Sequence, residues 1–184
     1  MAGNPNFRFN GINHLALMSS DMDRTIRFYR DILGMPLVKT IDFHNGRGKH
    51  YFFDAGGGDC VAFFEFAKSP VSVDMKTHAR MASTPGMMNH VAFDVSNEDI
   101  DCYRQRLVDM GIEVTEVVNH DDTEGGASPE TNESTFVRSI YFRDPDGIQL
   151  EFAAWSRAFT VEDVSAQYRQ SDRSVELRQE LNPR

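Results

Sequence analysis

The chain has 184 residues, 40% of them apolar, and 19 Lys and Arg against 28 Asp and Glu for a formal net charge of −9. That apolar content supports a packed interior, while the acidic balance repels phosphate backbones and anionic lipid surfaces and so argues against nucleic-acid and membrane partners. No apolar run approaches the roughly 20 residues of a membrane span, and the polar start "MAGNPNFRFNG" lacks the order of a secretory signal, so a cytoplasmic location is expected.

The first predicted strand is "INHLAL" at residues 12–17. Residues 21–33 follow as a helix, with Met22, Ile26, Tyr29 and Leu33 on one stripe, Ser20 or Asp21 as cap and Gly34 as stop. Residues 37–43, 50–54 and 60–66 then read as an antiparallel meander, turned first at Asn45-Gly46 and again at Gly56-Gly57-Gly58. The unit is βαβββ. Residues 68–86 form a linker with a short helical turn around 74–81.

The same order recurs. "MNHVAFDV" is a strand, residues 97–110 are a helix closed by Gly111, and "IEVTEVV", "TFVRSIYF" and "IQLEFAAW" complete a second βαβββ unit, with the Asp144-Pro145-Asp146-Gly147 turn before the last. Between them the polar loop 119–134 is long enough to read as a mobile lid. In the tail, Thr160 and Asp163 have capping-box spacing ahead of a predicted terminal helix. The fold class expected is therefore α+β: two paired βαβββ modules, at 10–67 and 87–156, forming a curled, cup-shaped mixed sheet with helices outside and a helical tail at 157–184. All of it reads as one domain. Cys60 and Cys102 lie in apolar-patterned segments without zinc or redox spacing and read as reduced core thiols.

Strand parity locates the chemistry. In "INHLAL" the apolar Leu15 and Leu17 suit the face a helix covers, which leaves His14 on the other; Val91 and Phe93 likewise leave His90 there. On the closing strands, Phe64 and Phe66 are assigned to the helix layer with Glu65 opposite, and Leu150 and Phe152 with Glu151 opposite. Two imidazoles and two carboxylates then share one face. A carboxylate among phenylalanines needs neutralising. One divalent ion held by His14, Glu65, His90 and Glu151 would do so, and the mixed nitrogen and oxygen set suits Zn, Ni, Co, Mn or Fe(II) better than Mg or Ca. Tyr51 and Tyr141 are candidates to hydrogen-bond a substrate oxygen, and Arg143 to brace the Asp144 turn. Arg47, Lys49 and His50 on the first hairpin could bind an anionic substrate group, but a charged hairpin tip reads first as solvated.

The phrases "INHLAL", "FYRDILGM", "MNHVAF" and "YFRDPDGIQLEF" resemble the vicinal oxygen chelate superfamily, the group of glyoxalases, bleomycin resistance proteins and type I extradiol dioxygenases, over residues 12–155. The resemblance implies two modules curled round one metal, with His14 and Glu65 from one and His90 and Glu151 from the other. It further implies a glyoxalase-like lyase or isomerase acting on a small substrate that chelates the metal through vicinal oxygens. Glu151, with Glu65 and Tyr141, would move the proton through an enediolate. The alternative is a single-chain extradiol dioxygenase using Fe(II) on His14, His90 and Glu151. For that activity Tyr141 matches the signature, but the histidine expected shortly before it is missing, His120 lies too far upstream, and Glu65 would crowd the iron. An antibiotic-binding resistance protein would need no metal, and a fosfomycin thiol transferase is disfavoured by the duplicated chain. A homodimer is expected, the modules closing within one chain or exchanging between two.

Overall fold

The computed structural model describes residue 7, residues 9–68 and residues 70–168. They fall into two units, one of which is Phe9–Ser156. Within it, β1 (His14–Met18) alternates exposed and half-buried side chains along its length, as the parity of "HLALM" demands. Asp21 caps α1 (Met22–Ile26) by accepting from the Arg24 amide, and the helix then widens into a π-helical stretch, Arg27–Ile32. There the Leu33 amide reaches back five residues to the Phe28 carbonyl, and the neighbouring Phe28 and Tyr29 are both buried. The single-stripe expectation of Tyr29 and Leu33 is thereby altered: Phe28 joins the core.

Strands β2 (Leu37–Asp42), β3 (Gly48–Gly56) and β4 (Asp59–Phe66) form the predicted meander, and β1 lies parallel to β4 in a sheet of order β1-β4-β3-β2. Gly48 closes the first hairpin at φ +154°, and a Cβ there would stand 2.1 Å from the Glu65 carbonyl, so only glycine fits. In the linker, the helical turn expected around 74–81 is α2 (Met75–Ala82), capped by Asp74, which accepts from the Thr77 amide.

The second module repeats the plan with β5 (Val91–Asp94), α3 (Ile100–Asp109), β6 (Val118–His120), β7 (Ala127–Ser128), β8 (Val137–Arg143) and β9 (Gln149–Trp155) in the order β5-β9-β8-β6-β7. The two sheets are mixed and do not close into a barrel. The segment expected as the strand "IEVTEVV" is irregular instead. Val114 makes an isolated bridge to Phe142, and the Thr115 hydroxyl, in place of a carbonyl, accepts from the Tyr141 amide at 3.0 Å. A regular ladder therefore starts only at Val118.

The long polar loop folds onto the sheet edge as β7 rather than standing off as a lid. Its anchor is the buried Asp121, which accepts from the Thr123 hydroxyl at 2.5 Å and the Asn132 amide at 2.6 Å. Hydrogen bonds from Ser128 first, then Thr123 and Asn132, hold that carboxyl down at about 2.

One apolar core joins the modules: Met22, Phe28, Tyr29, Phe53, Val61 and Phe63 from the first meet Ile100, Leu107, Ile140, Phe142 and Leu150 from the second. The polar fastening is the Asp144-Pro145-Asp146-Gly147 turn. Asp146 accepts from the Ser20 amide at 2.9 Å, from Arg24 at 2.8 Å and from the Ser20 and Ser72 hydroxyls, while Tyr29 donates to Asp144 at 3.3 Å. Burial would raise the Asp146 carboxyl, but these donors hold it below the usual value. Arg143 braces the turn through the Gly147 carbonyl at 2.9 Å, as expected.

The tail belongs to the other unit. Its described part carries the capping box at Thr160 and Asp163 and two 3-10 turns, Val161–Asp163 and Ala166–Tyr168; the rest of the predicted helix lies outside the described residues. Among the described residues, no helix is long and apolar enough to cross a membrane.

Candidate metal centre

His90 and Glu151 meet, as parity predicted. Val91 pairs with Leu150 and Ala92 with Glu151, so the carboxylate lies just beyond the imidazole on the face away from the helices. Their Nε2 and Oε2 are 2.8 Å apart, and the Glu151 residue is only 5% exposed. Leu150 and Phe152 take the helix side, the latter edge-on to Tyr103 at 6.0 Å.

A second feature repeats across the modules. His14 Nδ1 lies 2.8 Å from Oδ1 of Asn13, and His90 Nδ1 lies 2.6 Å from Oδ1 of Asn89. An amide oxygen only accepts, so Nδ1 carries a hydrogen in each ring, and in the neutral ring Nε2 holds the lone pair. At His90, Nε2 and the buried Glu151 carboxyl point into the same space. A proton on either group, or a metal ion between them, makes the contact favourable. Two imidazole nitrogens preset in this way and one carboxylate oxygen fit a borderline divalent cation.

Glu65 does not belong to this set, and the expectation that it faces His14 is corrected. β1 and β4 pair with His14 beside Cys60, Ala16 beside Ala62 and Met18 beside Phe64. Glu65 therefore lies five residues past the level of His14, about 16 Å along the strand at roughly 3.3 Å per residue. It also has the opposite parity, that of Phe63, whose ring packs on Tyr29 of the π-helical stretch at 4.8 Å. There it accepts from Tyr51 at 3.0 Å. Burial first, then the hydrogen bond and charge of Glu65, push the Tyr51 phenol up to about 12. Tyr51 is thus no substrate contact on the His14 face. The residue that matches Glu151 in the first module is Ala62, since Ala16 and Ala92 each stand two positions after their histidine. Parity failed here because "CVAFFEF" is apolar on both sides. Phe64, assigned to the helices, is instead stacked on His50 at 3.8 Å on the His14 face.

Among the described residues, no three His, Cys, Asp or Glu side chains come together as a metal-holding group. The structure brings His90 to Glu151 and leaves His14 on the other sheet, exposed.

Tyr141, paired with Glu151 across β8 and β9, shares the face and sits edge-on to His90 at 5.9 Å. Burial first, then the Glu151 charge, raise its phenol above the ordinary value. Its hydroxyl lies 3.1 Å from Nε2 of His120, the histidine judged too remote in sequence. The β6–β8 register, Val118 beside Ser139 and His120 beside Val137, delivers it. No local motif announces that contact.

The profile of the Glyoxalase/Bleomycin resistance protein/Dioxygenase superfamily matches residues 11–152. The chain is 26% identical to the metallothiol transferase FosB of Shouchella clausii over 77% of its own length and 78% of that protein. It is 25% identical to Glyoxylase I 4 of Arabidopsis thaliana over 99% and 91%. The fosfomycin resistance protein FosX of Listeria monocytogenes, in a crystal structure with Mn(II) and sulfate, shares the fold with a TM-score of 0.51, at 23% identity over 81% of this chain and 95% of that one. A matched profile spanning both modules, with both histidines and the closing-strand Glu151 inside it, assigns the fold, and the chain belongs to the Glyoxalase/Bleomycin resistance protein/Dioxygenase superfamily.

Proposed function

We propose that this protein is a divalent-metal-dependent enzyme of glyoxalase type, a lyase or isomerase that moves a proton on a small substrate chelating through two vicinal oxygens. His14, His90 and Glu151 are its metal ligands. The observation that carries this is the 2.8 Å approach of His90 Nε2 to the buried Glu151 carboxylate, with Nδ1 already committed to Asn89.

The ligand set is completed between two copies. The modules pack through their helix sides, Phe28 against Phe142 and Tyr29 against the Asp144 turn, so the His14 face and the His90 face point away from a shared core. The His14 face of one chain is then free to meet the His90 face of a second, and Met18 and Ile41 on the first, with Trp155 on the second, leave large apolar side chains exposed for that junction.

When bound, Mn, Fe(II), Zn, Ni or Co would polarise the two substrate oxygens as a Lewis acid. The chain's own groups do the rest. Asn13 and Asn89 hold the rings in the ligating tautomer. Glu151 is the carboxylate on the His90 face and serves as the base, and Tyr141 holds a proton on its hydroxyl that His120 Nε2 can accept or return. Glu65, turned to the helices, has no part in it.

The second reading is Fe(II)-dependent ring cleavage. Two observations favour it: without Glu65 the set is two histidines and one carboxylate, and His120 meets Tyr141 in space.

The test is metal analysis with subunit mixing. His14→Ala and Glu151→Ala should each lose Mn(II). Mixed and allowed to exchange, they should recover about a quarter of the wild-type content, because half the dimers are mixed and each has one intact site of two. No recovery would overturn the shared site. Oxygen uptake with catechol and Fe(II), abolished in His90→Ala, would select ring cleavage over proton transfer.

A further inference from the structure

The linker helix α2 gathers soft donor atoms that the proposed metal centre does not use. Met75, His78 and Met81 recur every third residue and so share about a third of the helix circumference. The turn after the helix brings in two more sulfurs. The Ser83 and Thr84 amides close on the Ala79 and Met81 carbonyls, the Met87 amide returns to the Thr84 carbonyl at 3.1 Å, and the Asn89 side chain donates to the Ala82 carbonyl at 2.9 Å. The chain thereby doubles back, and Met87 and Met88 line, together with His78 and Met81, a cavity of about 180 Å³.

Gly147, from the turn that fastens the two modules, forms part of the same wall. A Cβ built there would lie 3.1 Å from Nε2 of His78 and 3.3 Å from Sδ of Met75, so an imidazole nitrogen and a thioether sulfur already border one point beside the glycine. Among the described residues the His78 side chain makes no hydrogen bond or ion pair. Met75, Met81, Met87 and Met88 are 37 to 51% exposed, so the group is open to a dissolved ion without any movement of the core.

The surroundings select the kind of ion. Among the described residues no carboxylate lines the cavity, whereas the Arg143 guanidinium does, tied to the Gly147 carbonyl at 2.9 Å. The neighbouring carboxylate, Asp146, is taken up by Ser20, Ser72 and Arg24. A hard divalent ion therefore finds no anionic oxygen and meets a positive charge. A soft monovalent ion is bound instead through polarisable thioether sulfur and neutral imidazole nitrogen.

We infer that this cavity is a second, soft-metal site: His78 Nε2 and Met75 Sδ bind one Cu(I), and a third sulfur comes from the wall of Met81, Met87 and Met88. Its ligands are separate from His14, His90 and Glu151, and the inference does not depend on that set.

Ag(I), a soft monovalent ion that undergoes no redox change in the assay, is the first probe, and Cu(I) under anaerobic conditions the second. Cys60 and Cys102 are free thiols that also take these ions, so the readout must be residue-specific. In the wild-type chain with carbon-13 on the methionine methyls, both probes should move the Met75 signal and at least one of Met81, Met87 and Met88, while Met22 and Met35 in the core stay in place. Met75→Leu keeps the bulk and removes the sulfur, and His78→Phe keeps a ring and removes the nitrogen. Each should raise the free Ag(I) needed to half-saturate the remaining signals at least about tenfold, with circular dichroism unchanged. Methyl signals of α2 and its turn that ignore both probes overturn the inference, as does half-saturation that stays at wild type in either variant.

Discussion

Asp144 offers a quantitative test of how the modules are joined. Its carboxylate accepts from the amides of Asp146 and Ile148 at 2.9 and 2.8 Å and from the Tyr29 hydroxyl at 3.3 Å, inside the junction. Those bonds favour the charged form, yet burial outweighs them and, with the charge of Asp146, raises the carboxyl from 3.8 to about 6. The folded chain thus keeps a proton between about pH 4 and 6 that the unfolded chain releases. A raised acid contributes its full stability below the unfolded value and loses it as pH climbs through the folded one. A rise of about two pH units, at about 1.4 kcal/mol each, makes the loss about 3 kcal/mol by pH 7. Asp144→Asn keeps an oxygen for both amides and removes the charge. It should match wild type near pH 4 and exceed it above pH 6 by up to about 3 kcal/mol, or about 6 to 12 °C in melting temperature. Urea denaturation of both proteins from pH 4 to 8 measures the difference directly. A variant less stable than wild type at pH 8, or a difference that does not grow with pH, would refute the burial argument.

Two further outcomes bear on the site. Glu65→Gln should leave Mn(II) uptake within about twofold of wild type while lowering the Tyr51 phenol from about 12, read by ultraviolet titration; loss of metal would restore Glu65 to the ligand set. Asn89→Ala, which frees the His90 tautomer, should weaken Mn(II) binding by about 10- to 100-fold with little change in secondary structure by circular dichroism.

Much of this protein could be read from residue order alone. The duplicated "NH" strands, glycine-stopped helices and "DPDG" turn specify two βαβββ units, because each signal is local: a period of two, a cap, a turn. Parity in "IQLEF" placed Glu151 opposite the helices because Leu150 and Phe152 are the apolar residues on the covered side. The same reasoning failed in "CVAFFEF", where both sides are apolar and only the pairing of His14 with Cys60 tells which way Glu65 turns. The tertiary structure alone decided that register, the meeting of His120 with Tyr141 across β6 and β8, and the burial of His50 between Phe52 and Phe64. Each of those is a contact between strands, and the lateral alignment of strands is set by packing between distant segments that no short stretch of sequence encodes.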